Sequence, residues 1–66
     1  MITVRELRAI ADDCDFYLYD ENNNMLYNDH KRRWYDLPPL EETEYIDYKV
    51  EYFYPSECKL SIYIKK

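Results

Sequence analysis

The sequence predicts an α+β domain, with one N-terminal helix packed on a four-stranded antiparallel sheet of two β-hairpins. Three observations predict it. A helix-capping box opens the chain, apolar residues alternate over residues 15–28 and 45–65, and a polar turn interrupts each alternating run. One helix followed by four strands buries its apolar surface most simply as two layers. The 66 residues form one domain, residues 1–66. A chain of this size buries only about 60% of the surface its unfolded form exposes, so each large apolar residue matters.

The elements follow in order. In Thr3-Val4-Arg5-Glu6 the Thr3 hydroxyl can accept from the Glu6 amide while the Glu6 carboxylate reaches back to the Thr3 amide. Val4, Leu7, Ala11 and Cys14 then recur at helical spacing, with Ile10 beside them. Asp12-Asp13 put negative charge at a helix C-terminus, where it is unfavourable, so the helix covers residues 3–13. Asp15 to Asp20 alternates as a strand, with Phe16 and Leu18 on one face and Tyr17 and Tyr19 on the other. The chain contains no glycine, and the turn Asp20-Glu21-Asn22-Asn23-Asn24 relies on Asn, which tolerates positive φ well. Met25 to Asn28 returns as the partner strand. Residues 29–44 read as a long polar connection stiffened by Leu37-Pro38-Pro39 and pinned to the body by Trp34 or Tyr35.

In the second run Ile46, Tyr48, Val50, Tyr52 and Tyr54 alternate against Asp47, Lys49, Glu51 and Phe53. Pro55-Ser56-Glu57 turns the chain, and Leu60, Ile62 and Ile64 alternate against Lys59, Ser61, Tyr63 and Lys65. Phe16, Leu18, Leu26, Val50, Tyr52, Leu60 and Ile62 are assigned to the helix-facing side. That phase leaves Tyr17, Tyr19, Tyr27, Phe53 and Tyr63 on the opposite face, where a chain of this length has nothing to cover them. Nine Tyr in 66 residues make this the loudest compositional signal.

Net charge is −5, arranged in blocks: acidic over residues 1–29, basic through Lys31, Arg32 and Arg33, acidic again to residue 57, and basic at Lys59, Lys65 and Lys66. Such blocks fit a protein partner with patches of both signs better than simple phosphate binding. No apolar run approaches the roughly 18 residues of a membrane span, and no basic-then-apolar leader begins the chain, which points to the cytoplasm. Cys14 and Cys58 are too few for a disulfide framework. Their first reading is as small buried hydrophobes, with a Cys14–Cys58 bridge left open.

The order of motifs resembles a family of small proteins from phages and prophages of Gram-positive bacteria. The resemblance lies in Thr3–Leu7, in Tyr19–Tyr27 across the first turn, in Leu37-Pro38, and in Tyr45–Phe53 before the last strand. This chain departs from that pattern at Asn23, where relatives carry Gly, and in the basic insert Lys31-Arg32-Arg33-Trp34. The resemblance implies no functional residues, but it implies a protein that binds and blocks a bacterial machine, including anti-CRISPR and other anti-defence inhibitors.

Chemistry finds little support. Asp20-x-Asn22-x-Asn24 begins like a calcium loop, yet Met25 stands where Gly is required and Lys31 where the bidentate Glu is required. Two Cys and one His on separate elements do not make a zinc site, and His30 lacks a nucleophile and an orienting group in its motif. No cofactor, metal or enzymatic activity is expected. Function is expected through contact. The candidate partner-binding residues are Tyr17, Tyr19, Tyr27, Phe53 and Tyr63, joined by the acidic Glu41, Glu42 and Glu44. With Asp12, Asp13 and Asp15 those acids could imitate nucleic acid in the basic groove of a host defence nuclease. Plain Tyr tolerance in strands and a homodimer through the Tyr face stand beside this reading. Lys31, Arg32, Arg33 and Trp34, next to Tyr35, form the weaker nucleic-acid candidate, since acidic blocks flank them.

Overall fold

The computed structural model describes residues 1–11 and 13–65. Asp12 and Lys66, assigned above to the acidic cluster and the basic end, lie outside the described residues. The capping box forms as the spacing requires: Glu6 N–H donates to Thr3 Oγ1 (3.2 Å) and Thr3 N–H to Glu6 Oε1 (2.9 Å). Helix α1 runs Val4–Ile10, shorter than the expected 3–13, because Ala11 already leaves helical geometry at φ −125° and ψ 50°. Val4 and Leu7 enter the core, whereas Ile10 points to solvent.

Strand β1 (Asp15–Tyr19) buries Phe16 and Leu18 as the alternation predicts. The following turn is closed by Asp20 Oδ1, which accepts from the N–H groups of Asn22 and Asn24 (2.8 and 2.9 Å), while Asn23 takes φ 64°. Asn thus supplies the left-handed step that a glycine-free chain needs. Strand β2 (Met25–Asn28) pairs antiparallel with β1, but a bulge shifts the register, so that Leu18 faces Tyr27 and Tyr19 faces Met25. Tyr27 is therefore a core residue, 5% exposed, and not part of the open face. Its hydroxyl donates to Pro38 C=O (2.8 Å) and does the pinning expected of Trp34 or Tyr35, both of which stand in solvent.

The expected polar connection over 29–44 begins with a second helix, α2 (Asp29–Tyr35). Asn28 caps it, accepting from the N–H groups of His30 (2.8 Å) and Lys31 (3.1 Å). Asp29 lies in its first turn and Arg32-Arg33 in its last, the order that complements the helix dipole. Asp36 ends it at φ 54°. Two 3-10 turns, Leu40–Glu42 and Glu44–Asp47, then bury Leu40 and Ile46 against the sheet. Strand β3 (Val50–Ser56) starts four residues later than the alternation from Ile46 implies, and its entry is stitched to the N-terminus: Val4 N–H donates to Tyr48 C=O (2.9 Å) and Val50 N–H to Ile2 C=O (2.8 Å). Glu57, at φ 54°, opens the turn into β4 (Lys59–Ile64), so Pro55 and Ser56 belong to the strand and not to the turn.

The sheet is mixed, with strand order β2-β1-β4-β3. The two hairpins form, but they join through β1 and β4, which run parallel from Asp15↔Lys59 to Tyr19↔Tyr63. The wholly antiparallel sheet is thus corrected. Burial explains the choice: β1 and β4 carry the most buried inward residues, Phe16, Leu18, Leu60, Ile62 and Ile64, and gain most from the centre. Strands β2 and β3 take the edges, where a short strand, bulges and Pro55 discourage further pairing. Helix α1 and the two 3-10 turns cover the inner face, and Val4, Leu7, Leu40 and Ile46 complete the core there.

One buried charge organises the junction of these layers. Asp29 is 6% exposed and accepts from Phe16 N–H (2.7 Å), satisfying a β1 amide where β2 departs. Arg8 of α1 forks onto the same carboxylate (2.7 and 3.3 Å), stacks over the Phe16 ring at 4.7 Å, and donates from Nε to Glu41 (3.3 Å).

Candidate aromatic contact face

On the sheet's outer face the paired residues form rows. Tyr19, Tyr63 and Tyr52 lie abreast on β1, β4 and β3; Tyr17, Ser61 and Tyr54 lie abreast one step below; Asp15, Lys59 and Ser56 form the foot. Cross-strand partners project to the same side, so one register fixes the whole surface. Tyr63 stacks on Tyr19 (centroids 5.1 Å apart, 21° between planes) and on Tyr52 (4.7 Å, 18°). Tyr54 meets Tyr52 and Tyr63 edge-on at 5.5 and 6.1 Å. Ser61 is the register partner of both Tyr17 and Tyr54, and Lys59 Nζ lies 5.6 Å from the Tyr17 ring centroid.

The rings differ in exposure. Tyr17, Tyr19 and Tyr63 are half-buried by their neighbours, while Tyr52 and Tyr54 are 46% and 59% exposed. Partial burial, then the neighbouring Tyr54, Tyr63 and Glu51, push the Tyr52 hydroxyl above its ordinary pKa. It stays a neutral donor and acceptor throughout the physiological range.

Of the expected contact residues, Tyr17, Tyr19 and Tyr63 are together on this face. Tyr27 is buried in the core. Phe53 pairs with Ile62 and so points to the inner side, yet it is 42% exposed because β3 leaves the covered region after Val50. Tyr52 and Tyr54 are on the outer face although the alternation from Ile46 assigns them to the core. The reason is the register shift between Val50 and Tyr52, which inserts Glu51 and inverts the phase. Counting back from the Glu57-Cys58 turn, instead of forward from Ile46, reveals both residues: Ser56 opposes Lys59, Tyr54 opposes Ser61 and Tyr52 comes opposite Tyr63.

The acidic candidates are elsewhere. Glu41, Glu42 and Glu44 ride on the 3-10 turns whose Leu40 and Ile46 fill the core, so they lie on the opposite side of the sheet from the rings. Glu41 is engaged by Arg8. Asp15, grouped with them in the sequence, belongs to the foot of the aromatic face, where Arg33 grips it with two bonds (3.2 and 3.0 Å) and holds its carboxyl below the usual range. Of the basic candidates, Arg33 is thus committed to Asp15. Lys31 lines a shallow cleft with Tyr35 and Leu37, and Trp34 is 74% exposed with its ring 6.5 Å from His30.

Among the described residues no three or more His, Cys, Asp or Glu side chains gather where a metal ion could be held. No helix among them is long and apolar enough to cross a membrane. The chain matches no protein-family model, no curated protein and no solved structure.

Proposed function

We propose that the protein works by contact, binding another protein through Tyr17, Tyr19, Tyr52, Tyr54 and Tyr63. The observation that carries this reading is the continuous stack of rings across β1, β4 and β3, on the face away from the helical layer. Tyr is favoured at binding hot spots because one ring offers large apolar area, a polar tip and few torsions to immobilise. Stacking fixes those torsions before a partner arrives, which lowers the entropy cost of association. The partner proposed is a bacterial host protein in the cytoplasm, blocked by occlusion, with a defence nuclease as the most concrete case and an anti-CRISPR-type role as its consequence. No catalytic step belongs to this proposal.

The test is comparative capture from host lysate. Replacing Tyr52 and Tyr54 by Ser is expected to abolish capture of the partner that the unaltered chain retains, while Glu42→Lys with Glu44→Lys, which spare the Arg8–Glu41 pair, leave it intact. The opposite pattern transfers the site to the acidic turns and revives the nucleic-acid mimic.

A homodimer through the same face is the second reading, favoured by the exposure of Tyr52 and Tyr54, which a second copy would cover. Light scattering over a concentration series separates the two, since a chain that stays monomeric at high concentration removes the dimer.

A further inference from the structure

The two cysteines, far apart in sequence, arrive side by side at the foot of the parallel β1–β4 pair. Asp15 and Lys59 are register partners, and the residues immediately before them are Cys14 and Cys58. Asp15 N–H donates to Cys58 C=O at 2.8 Å, which carries the pairing one step beyond β1 and β4 to the cysteines themselves. Adjacent strands lie about 4.8 Å apart, inside the span of roughly 4.4–6.8 Å between Cα atoms that a disulfide bridges. Both thiols are free. Cys58 is exposed in the β3–β4 turn; Cys14 is half-buried against the core, its S–H donating to Asp13 Oδ1 at 3.9 Å.

We propose that Cys14 and Cys58 form a redox-active thiol pair, closing to an intramolecular disulfide by exchange with a disulfide-bearing oxidant. The order of steps follows from exposure. The Cys58 thiolate attacks one sulfur of the oxidant, making a mixed disulfide and expelling the oxidant's first thiolate, which takes a proton from solvent. Cys14 then gives its proton to solvent and attacks Cys58 Sγ, forming the Cys14–Cys58 bond and expelling the second thiolate. The two protein thiols lose two electrons in all, and the one oxidant disulfide becomes two thiols. Desolvation, then the charges of Asp13, Cys58 and Asp15, push the Cys14 thiol up, which suits it to the second, intramolecular attack rather than the first.

The bond has a structural consequence. Cys58 sits at the tip of the hairpin whose β3 strand is exposed on both faces from Glu51 onward. Closing the disulfide ties that tip to the segment between α1 and β1, and so steadies the strand that carries Tyr52 and Tyr54. The thiol pair stands whether or not those rings bind a partner.

The experiment uses the full, reduced chain incubated with glutathione disulfide, then alkylated and weighed intact. The expected product is a monomer lighter by two hydrogen atoms, with both cysteines shielded from alkylation and the Cys14 and Cys58 peptides linked on mapping. It should melt at a higher temperature than the reduced chain and revert on treatment with dithiothreitol. Cys14→Ser should accumulate a single glutathione adduct at Cys58, and Cys58→Ser should react far more slowly. A wild-type chain that ends as glutathione adducts, as covalent dimers or as unreacted thiols overturns the proposal.

Discussion

Tyr63 is held between Tyr19 and Tyr52, with ring centroids 5.1 and 4.7 Å away and planes inclined by 21° and 18°. The stack crosses three strands because the parallel register places Tyr19 beside Tyr63 and the antiparallel register places Tyr52 on its other flank. Each ring restricts the rotamers of the next, so the face is a supported surface and not a set of independent side chains.

Removing the middle ring should therefore cost stability as well as binding surface. Tyr63→Ala is expected to lower the unfolding free energy by roughly 1–3 kcal/mol through lost apolar burial and ring contacts. A double-mutant cycle on Tyr52 and Tyr63, read by urea unfolding, should give a coupling of about 0.5–1.5 kcal/mol. A coupling indistinguishable from zero would mean that the rings are neighbours without mutual support.

The buried carboxylate is the more dangerous position. Asp29→Ala leaves the partly buried Arg8 with Glu41 as its remaining carboxylate and Phe16 N–H without its acceptor, and breaking such a pair costs about 3–5 kcal/mol. For a domain of this size that is most of the total, so circular dichroism should show a largely unfolded chain near room temperature. Exchanging both partners together, Arg8→Met with Asp29→Leu, should recover part of the loss. The orphaned Phe16 amide still costs about 1–3 kcal/mol.

Helix α2 depends on its cap. Asn28→Ala removes the acceptor for two amides and should cost about 1 kcal/mol, whereas Asn28→Asp should retain most of it. Hydrogen exchange is the direct readout: amides of residues 30–35 should exchange faster in the Ala variant while those of β1 and β4 keep their protection.

Acid should destabilise the fold in a specific way. The hydrogen bond and charge of Arg33 hold the Asp15 carboxyl below its ordinary 3.8, and Glu41 sits below 4.5 through its own backbone amide and Arg8. A carboxylate whose folded pKa is depressed contributes stability that is present above its unfolded pKa and is lost as pH falls through the folded value. The urea midpoint should thus hold near neutrality and drop below about pH 4. Arg33→Ala should lower the neutral-pH midpoint slightly and flatten the acid decline, because Asp15 then loses the main cause of its depressed pKa. An unchanged profile would mean that this exposed pair contributes nothing.

What could be read along the chain was local. The capping box at Thr3, the Asn-rich turn, the extent of β2 and the β4 alternation are each decided by residues within a few positions of one another, and all four form as the sequence predicts. Helix α2 was legible too, in Asn28-Asp29 followed by Arg32-Arg33, but the adjoining Pro-rich segment made the whole stretch look like connection. For the candidate site the sequence pointed to the right kind of residue and partly to the wrong members: Tyr17, Tyr19 and Tyr63 stand on the face, Tyr27 does not, and Tyr52 and Tyr54 do.

By itself, then, the sequence determined that the protein is a small α+β domain with two hairpins and more Tyr than its core can hold. Only the tertiary structure decided which Tyr remain outside. That choice rests on two bulges, one in each hairpin, that invert the side-chain phase, and on a parallel β1–β4 register between segments far apart in the chain. A one-residue shift turns every later side chain to the other face of a sheet. Periodicity cannot place such a shift, because it is set by which strand lies alongside.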